Sequence, residues 1–367
     1  MIRRTFYKVG NGLFCYEQAG EMINVYDCGG QNKSVIDIAI SCFKNSTPKP
    51  THIHNLFISH YDRDHVNGLT SLLENISCDR VFLPMIHPLV RVVDYAQRRN
   101  DSDYTDFIFN PEEYIMRFQK KVEIITVRGD ESEMESGNVS KVESGDVSQE
   151  KPSNNFNTLD NGVVRINLPY IQYEGPNKWR TYEIRNGTDY VVNNWLFRVF
   201  NKRVMNQNEL SQFMSRLNLS VHASFHDVLN ALAAKNTNLK KALSAVFSQE
   251  DLKLINDYSM VVWSGPNNLA DRNGCLFTGD YNAKKNIQEL MAEFKYLKHR
   301  TKIVQIPHHG SSYNFNIMLC DASFRHVISS SNGSYKCRRL VNPTATISSL
   351  NRNSLSYDTT FNGDVVI

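Results

Sequence analysis

The rhythm of apolar and polar positions changes three times along the chain. In the first third, short β-rich runs recur, "RTFYKVG", "GLFCYE", "MINVYDCGG", "HNLFISH" and "RVFLP", each closing on turn or polar residues, which predicts strands. Between them, Val35 to Phe43 and Leu69 to Ile76 carry helical spacing. "PEEYIMRFQKK" sets proline at the first position and acids in the first turn of another short helix, and "VEIITV" returns to strand. Strands alternating with helices predict an α/β chain.

From Gly129 to Asn155 the sequence is acidic, rich in serine, glycine and asparagine, and almost without large apolar residues. Such a stretch cannot add to a core and is expected to form a mobile surface loop. Over 206–250 the apolar positions step by three and four: Leu210, Phe213, Met214, Leu217; Phe225, Val228, Leu229, Leu232; Leu239, Leu243, Val246, Phe247. That predicts a small helical insert of three helices, with Ser224 capping the second. No basic stripe marks one of them as a DNA-recognition helix. Strands then resume in "YSMVVWSG", "CLFTGD", "TKIVQIP", "HVISSS" and "GDVVI", with a helix from Lys284 to Leu297 linking two of them. No fixed-period repeat is visible, and 1–367 reads as one domain carrying the 129–155 loop and the 206–250 insert.

Composition narrows the class. The chain has 367 residues, 41% hydrophobic and 22% charged, ordinary values for a globular protein with a substantial core. Nothing in it approaches the roughly 20 apolar residues of a membrane span, and the start lacks a leader-like apolar run, so a cytoplasmic location without membrane contact is expected. Seven cysteines, 15, 28, 42, 78, 275, 320 and 337, form no CxxC pair, which argues against a disulfide framework and against a thiolate zinc site. A net charge of +3 leaves the substrate open, since a nucleic-acid footprint depends on clustering.

The chemistry concentrates at "SHYDRDHVNG", 59–68, where His60, Asp62, Asp64 and His65 fall in the turn between a buried-looking strand and a helix start. Aspartate and histidine are also ordinary turn residues, but four ligand types in six positions can converge on one or two cations. Two more strand ends add donors: "LFTGDY" delivers Asp280, and "VQIPHHGSS" delivers His308 and His309. Hard and borderline donors at three strand ends point to a binuclear hydrolytic site.

The order "NVYDCGG", "SHYDRDHVNG", "NDYSMVV", "LFTGD", "PHHGSS" and "YDTTFNGDVVI" resembles the metallo-β-lactamase superfamily, most closely the hydrolase domain of the ComEC DNA-uptake protein and its free-standing relatives. The resemblance spans nearly the whole chain. It implies an αβ/βα four-layer sandwich with a site at one edge. It implies that His60 and Asp62 hold a first metal, that Asp64, His65 and His308 or His309 hold a second, with His309 favoured, and that Asp280 bridges. The two divalent ions would be zinc or manganese, with magnesium a further option, and Asp62, a harder oxygen donor in place of the superfamily's commoner histidine, shifts preference from zinc toward manganese or magnesium. The further first-metal histidine has only His87, His222 and His226 as candidates, none at a strand end. Where the branch often carries a late histidine, Lys336 stands, followed by Arg338 and Arg339, and a lysine there could meet a phosphate or a developing negative charge. The implied function is a phosphodiesterase or nuclease acting on nucleic acid or nucleotides, with Asp64, His65, Asp280 and Lys336 in the catalytic machinery. A lactone or ester hydrolase is one alternative. Another is a degenerate member serving as a binding or regulatory subunit, docking a protein partner through the helical insert.

Overall fold

The computed structural model of the protein describes residues 2–98, 102–129, 157–159, 162–164, 171–174, 180–202, 207–248, 251, 258–331 and 343–367. Nearly all of the acidic loop, together with Lys336, Arg338 and Arg339, lies outside the described residues.

In chain order the first half contributes β1 (Ile2–Phe6), β2 (Cys15–Ala19), β3 (Met22–Tyr26), α1 (Lys33–Lys44), β4 (His52–Phe57), α2 (Arg63–Val66), α3 (Leu69–Leu73), β5 (Ser77–Pro84), α4 (Pro88–Arg98), α5 (Ser102–Phe109), α6 (Pro111–Phe118) and β6 (Glu123–Arg128). A ribbon of β7 (Asn157–Leu159) and β8 (Gly162–Val164) precedes β9 (Ile171–Glu174), β10 (Arg180–Arg185), β11 (Thr188–Val192) and β12 (Trp195–Asn201). After α7 (Gln207–Arg216), α8 (Phe225–Lys235) and α9 (Leu239–Val246) come β13 (Met260–Pro266), β14 (Gly274–Phe277), α10 (Ala283–Glu293), β15 (Thr301–Gln305), β16 (Arg325–Ile328), α11 (Thr344–Arg352), β17 (Tyr357–Thr359) and β18 (Val365–Val366). The helices α4 and α5, which the sequence reading did not anticipate, follow Pro88 and lie between β5 and α6.

Two sheets result. One has the order β18-β1-β2-β3-β4-β5-β6-β10-β9 and the other β11-β12-β13-β14-β15-β16-β17. Each is half antiparallel and half parallel: β3 to β6 run parallel in the first, and β14 to β17 in the second. Strand periodicity explains why they stack. In β12 and β13, Trp195, Phe197, Val199, Met260 and Val262 face the other sheet, while Leu196, Phe200, Val261 and Trp263 face outward. Apolar residues at consecutive positions therefore bury both faces of the sheet.

The interior between the sheets is largely aromatic, with Phe6, Tyr26, Phe57 and Phe82 meeting Phe197 and Phe277. Tyr26 and Phe277 stack across the sheets with ring centroids 3.6 Å apart and planes 11° from parallel. Outside the first sheet, Val25, Leu56 and Val81 pack with Ile36, Ile40 and Phe43 of α1 and with Val92 and Val93 of α4. The apolar faces of α7 to α9 join that cluster through Phe213, Met214, Val228, Leu232 and Leu243. Outside the second sheet lie α10, through Ile287 and Leu290, and α11, through Leu350. Helices, sheet, sheet, helices make the four-layer α/β sandwich that the resemblance implies.

Parallel strands bring their carboxyl ends to one side, and there a site can be built from loops. Asp27 follows β3, Ser59 and His60 follow β4, Asp280 follows β14, His308 follows β15 and Ser329 follows β16. The Met260 N–H donates to the Ser59 carbonyl at 2.6 Å, tying the two sheets at this edge.

Candidate metal centre

The loop after β4 is folded tightly onto the loop after β3. The Cys28 N–H donates to the His65 carbonyl (2.9 Å), and the Gly68 N–H donates to the Cys28 carbonyl (2.8 Å). Gly29 is required for this approach: a Cβ there would stand 2.2 Å from the Asp64 carbonyl oxygen. Across the site, Gly279 adopts a left-handed φ of 50°, and a Cβ on it would stand 2.6 Å from the Ser59 Cβ. His308, His309 and Gly310 also take positive φ in succession, at 48°, 54° and 82°. Two non-glycine residues in that region store backbone strain of the kind that clusters at functional sites.

These turns bring six of the expected side chains together. Nε2 of His60 lies 3.6 Å from Oδ2 of Asp280, and Nε2 of His65 lies 3.2 Å from its Oδ1. Nε2 of His309 lies 3.5 Å from Oδ2 of Asp64 and 3.8 Å from Oδ1 of Asp280. Two overlapping groups of donors result, His60–His65–Asp280 and Asp64–His65–His309, each with its ligand atoms within 4.8 Å of one another. His308 is more peripheral, its Nε2 3.7 Å from Oδ2 of Asp280 and its side chain 35% exposed. Asp62 stands at the N-cap of α2, outside both groups.

The nitrogens facing this centre are prepared by groups behind them. The Asp27 carboxylate accepts the Ser59 N–H on Oδ1 (2.6 Å), and on Oδ2 the Ser59 hydroxyl (2.6 Å) and Nδ1–H of His65 (2.7 Å). Because the Ser59 hydroxyl donates to Asp27, it accepts from Nδ1 of His60 at 2.9 Å. Nδ1 of His309 lies 3.0 Å from the Ser329 carbonyl, which can only accept. The Gly12 N–H also points at this nitrogen, at 3.2 Å, so the carbonyl suits a protonated Nδ1 and the amide a bare one. The His60 and His65 rings thus carry their proton on Nδ1 and turn the lone pair of Nε2 inward, the tautomer a metal ligand needs.

What those atoms meet is decisive. Among the described residues, Nε2 of His60, His65 and His309 and Oδ1 of Asp280 are buried and make no well-formed hydrogen bond, only the close ion-pair approaches to one another. An orphaned buried polar atom costs about 1–3 kcal/mol, so four converging on one space make sense only if something else satisfies them. A donor set of imidazoles with carboxylates fits a divalent metal.

Without a metal, protons take part of that role. Burial disfavours charge on His65, but the Asp280 and Asp27 carboxylates overcome it and hold its pKa well above the ordinary value. Burial is likewise overcome at His309, by Asp280 and Asp64, which raise its pKa. Burial and the neighbouring His65 charge lower that of His60. Against their own burial, Asp64 is held below the usual carboxylate range by His309 and His65, and Asp280 by the surrounding histidines, His308 first.

The three other histidines stand elsewhere. His87 spends both ring nitrogens, accepting the Leu89 N–H on Nδ1 (3.1 Å) and donating from Nε2 to the Val221 carbonyl (2.9 Å). His222 is exposed, and His226 packs on the Phe109 ring at 5.5 Å. A separate group, His52, His54 and Asp79, gathers at the opposite end of β4. There, Nε2 of His52 already meets Asp79 at 2.8 Å, and Nδ1 of His54 accepts the Ile23 N–H at 3.1 Å. Its Nε2 then carries the ring proton and offers no lone pair.

Asp27, within "NVYDCGG", carries no role from the sequence alone. An aspartate just past a buried strand, followed by two glycines, was the available signal. Lys336 lies outside the described residues.

No protein-family model matches the sequence, and no curated protein matches it significantly. Among solved structures, human tRNase Z, short form, aligns with a TM-score of 0.39 and 11% identity, over 100% of this chain and 98% of that one. The metallo-β-lactamase fold protein YhfI from Bacillus subtilis aligns with a TM-score of 0.39 and 6% identity, over 100% and 99%.

Proposed function

We propose that the protein is a metal-dependent hydrolase of the metallo-β-lactamase superfamily, of the ComEC-like kind, that cleaves phosphodiesters in nucleic acid or nucleotides. The observation that carries this reading is the convergence of Nε2 of His60, His65 and His309 on the Asp280 carboxylate, all buried and, among the described residues, without a well-formed hydrogen bond. Divalent ions held by the His60–His65–Asp280 and Asp64–His65–His309 groups, with Asp62, which the resemblance assigns to the first metal, outside both, would supply a water of lowered pKa and polarise the bond under attack.

The chain's own groups then have separable tasks. Asp280, with its side chain 12% exposed, offers one oxygen to the His60 side and the other to the His65 and His309 side, and so joins the two halves. Asp64, whose side chain is 30% exposed, keeps contact with solvent and can orient the attacking water by accepting its proton in a hydrogen bond. The Asp27–Ser59 pair holds the His60 and His65 imidazoles in their ligating tautomer. Metal-stripped protein given manganese, zinc or magnesium is expected to hydrolyse bis-p-nitrophenyl phosphate and single- or double-stranded nucleic acid, and His65→Ala with Asp64→Ala to abolish it. Two metals bound with no phosphodiester cleavage would overturn the substrate class in favour of esters or lactones. No bound metal would overturn the hydrolase itself.

A further inference from the structure

The loop that delivers His308 and His309 continues into an exposed aromatic. Tyr313 is 82% exposed, the most exposed large hydrophobic side chain among the described residues. Its backbone is nevertheless held at several points. The Ser311 N–H donates to the His308 carbonyl (2.8 Å), and the Asn314 and Phe315 N–H groups donate to the Ser311 carbonyl (3.1 and 2.9 Å). The Tyr313 N–H itself reaches Oγ of Ser311 at 3.3 Å.

The far side of the loop is fastened to the metal centre. Nδ2 of Asn314, 8% exposed, donates to the Asp280 carbonyl at 3.0 Å. The Lys284 N–H donates to the Asn314 carbonyl at 3.0 Å, and Phe315 is anchored in the small core with Ile306 and Ile328. Tyr313 is therefore one residue from a side chain bonded to Asp280 and four from His309. At about 3.3–3.6 Å per residue, its Cα stands no more than about 14 Å from that of His309, a span of about two nucleotides. Ordering an aromatic ring's backbone while leaving its faces in water contributes nothing to the core, but it makes a pre-formed surface for another flat group.

The charge beside it favours the same kind of guest. Lys284 and Lys285 are exposed in the first turn of α10, and no acid occurs from 281 to 288 or from 306 to 320. Nζ of Lys284 rests 3.5 Å from the Ser312 carbonyl, one residue from Tyr313. An open aromatic with adjacent ammonium groups is how sequence-tolerant proteins hold single-stranded nucleic acid, bases on rings and phosphates on lysines. A small ester would instead call for an enclosed apolar pocket, which a side chain this exposed does not wall.

We propose that Tyr313 is a stacking platform for the base of a nucleotide beside the scissile phosphate, with Lys284 meeting the adjoining backbone phosphate, so that the substrate is single-stranded nucleic acid. The inference rests on the phosphodiesterase reading and fails separately from it.

The test compares a single-stranded oligonucleotide with a copy carrying abasic residues around the cleavage position. Tyr313→Ala is expected to lower kcat/KM on the normal oligonucleotide about 5- to 150-fold, chiefly through KM, the span given by loss of one stacked base. Tyr313→Trp and Tyr313→Phe should restore it to within about threefold, and wild type on the abasic copy should show a loss like that of Tyr313→Ala. Equal losses for Tyr313→Ala on both oligonucleotides, or none on either, would overturn the platform. If wild type cleaves neither, the phosphodiesterase reading falls, and binding of a 2-aminopurine oligonucleotide decides the platform by itself. Quenching by wild type and not by Tyr313→Ala sustains it, and no difference overturns it.

Discussion

Nδ1 of His65 donates to Oδ2 of Asp27 across 2.7 Å, with both side chains 1% exposed. The same carboxylate fixes Ser59, which fixes His60, so one residue outside the donor groups sets the tautomer of two imidazoles within them.

Asp27→Asn should therefore weaken metal binding about 10- to 100-fold while the fold persists, because an amide can offer its N–H groups to Nδ1 and invert the ring's proton. Competition titration with a chromophoric chelator reads the affinity. An affinity equal to wild type would remove Asp27 from the design of the site.

The raised pKa values of His65 and His309 mean that metal must displace protons there. Affinity should keep rising with pH above 6.5, the ordinary histidine value, and calorimetry in buffers of different ionisation enthalpy should register proton release. Flat affinity above that pH would contradict the carboxylate fields around these rings.

Metal-free stability should follow the same groups. His65 and His309, with folded pKa values raised, contribute stability that is present below pH 6.5 and lost as pH climbs through their folded values. Asp64 and Asp280, depressed, contribute stability present above 3.8 and lost as pH falls toward their folded values. His60, lowered, opposes folding on the acid side, below 6.5. Metal-free Tm should peak between these limits, and added metal should raise Tm most above them. A metal-free optimum on the alkaline side would contradict this.

Gly29→Ala sets a methyl 2.2 Å from the Asp64 carbonyl oxygen, against backbone that carries two donors. The expected cost is about 1–3 kcal/mol together with loss of metal binding, read by urea unfolding and metal content. Wild-type values for both would show that the two loops are not locked together.

Between the sheets, Glu17 is fully buried and accepts from Arg4 (2.6 Å), Asn24 (3.1 Å), Tyr26 (3.1 Å), Trp195 (3.2 Å) and Ser264 (2.5 Å). Glu17→Ala strands the Arg4 guanidinium, itself 2% exposed, and should destabilise by about 3–5 kcal/mol in urea titration. A loss below about 1 kcal/mol would mean that water reaches this network.

Much of this architecture is written in local pattern. Apolar positions at consecutive residues of β12 and β13 require strands buried on both faces, the stepping over 206–250 requires amphipathic helices, and the ligand types of His60, Asp62, Asp64, His65, Asp280, His308 and His309 stand visibly at strand ends. Local pattern is legible because side-chain direction repeats with backbone period.

What the tertiary structure alone decided concerns neighbours distant in sequence. β18 closes the first sheet by pairing with β1 across the whole chain. Asp27 acquires its role only when β3 and β4 lie side by side, and His309 separates from His308 only because successive left-handed residues turn one ring inward and leave the other at the rim. Hydrogen bonds and orphaned atoms depend on angles and on the exclusion of water, and neither is encoded by spacing along the chain.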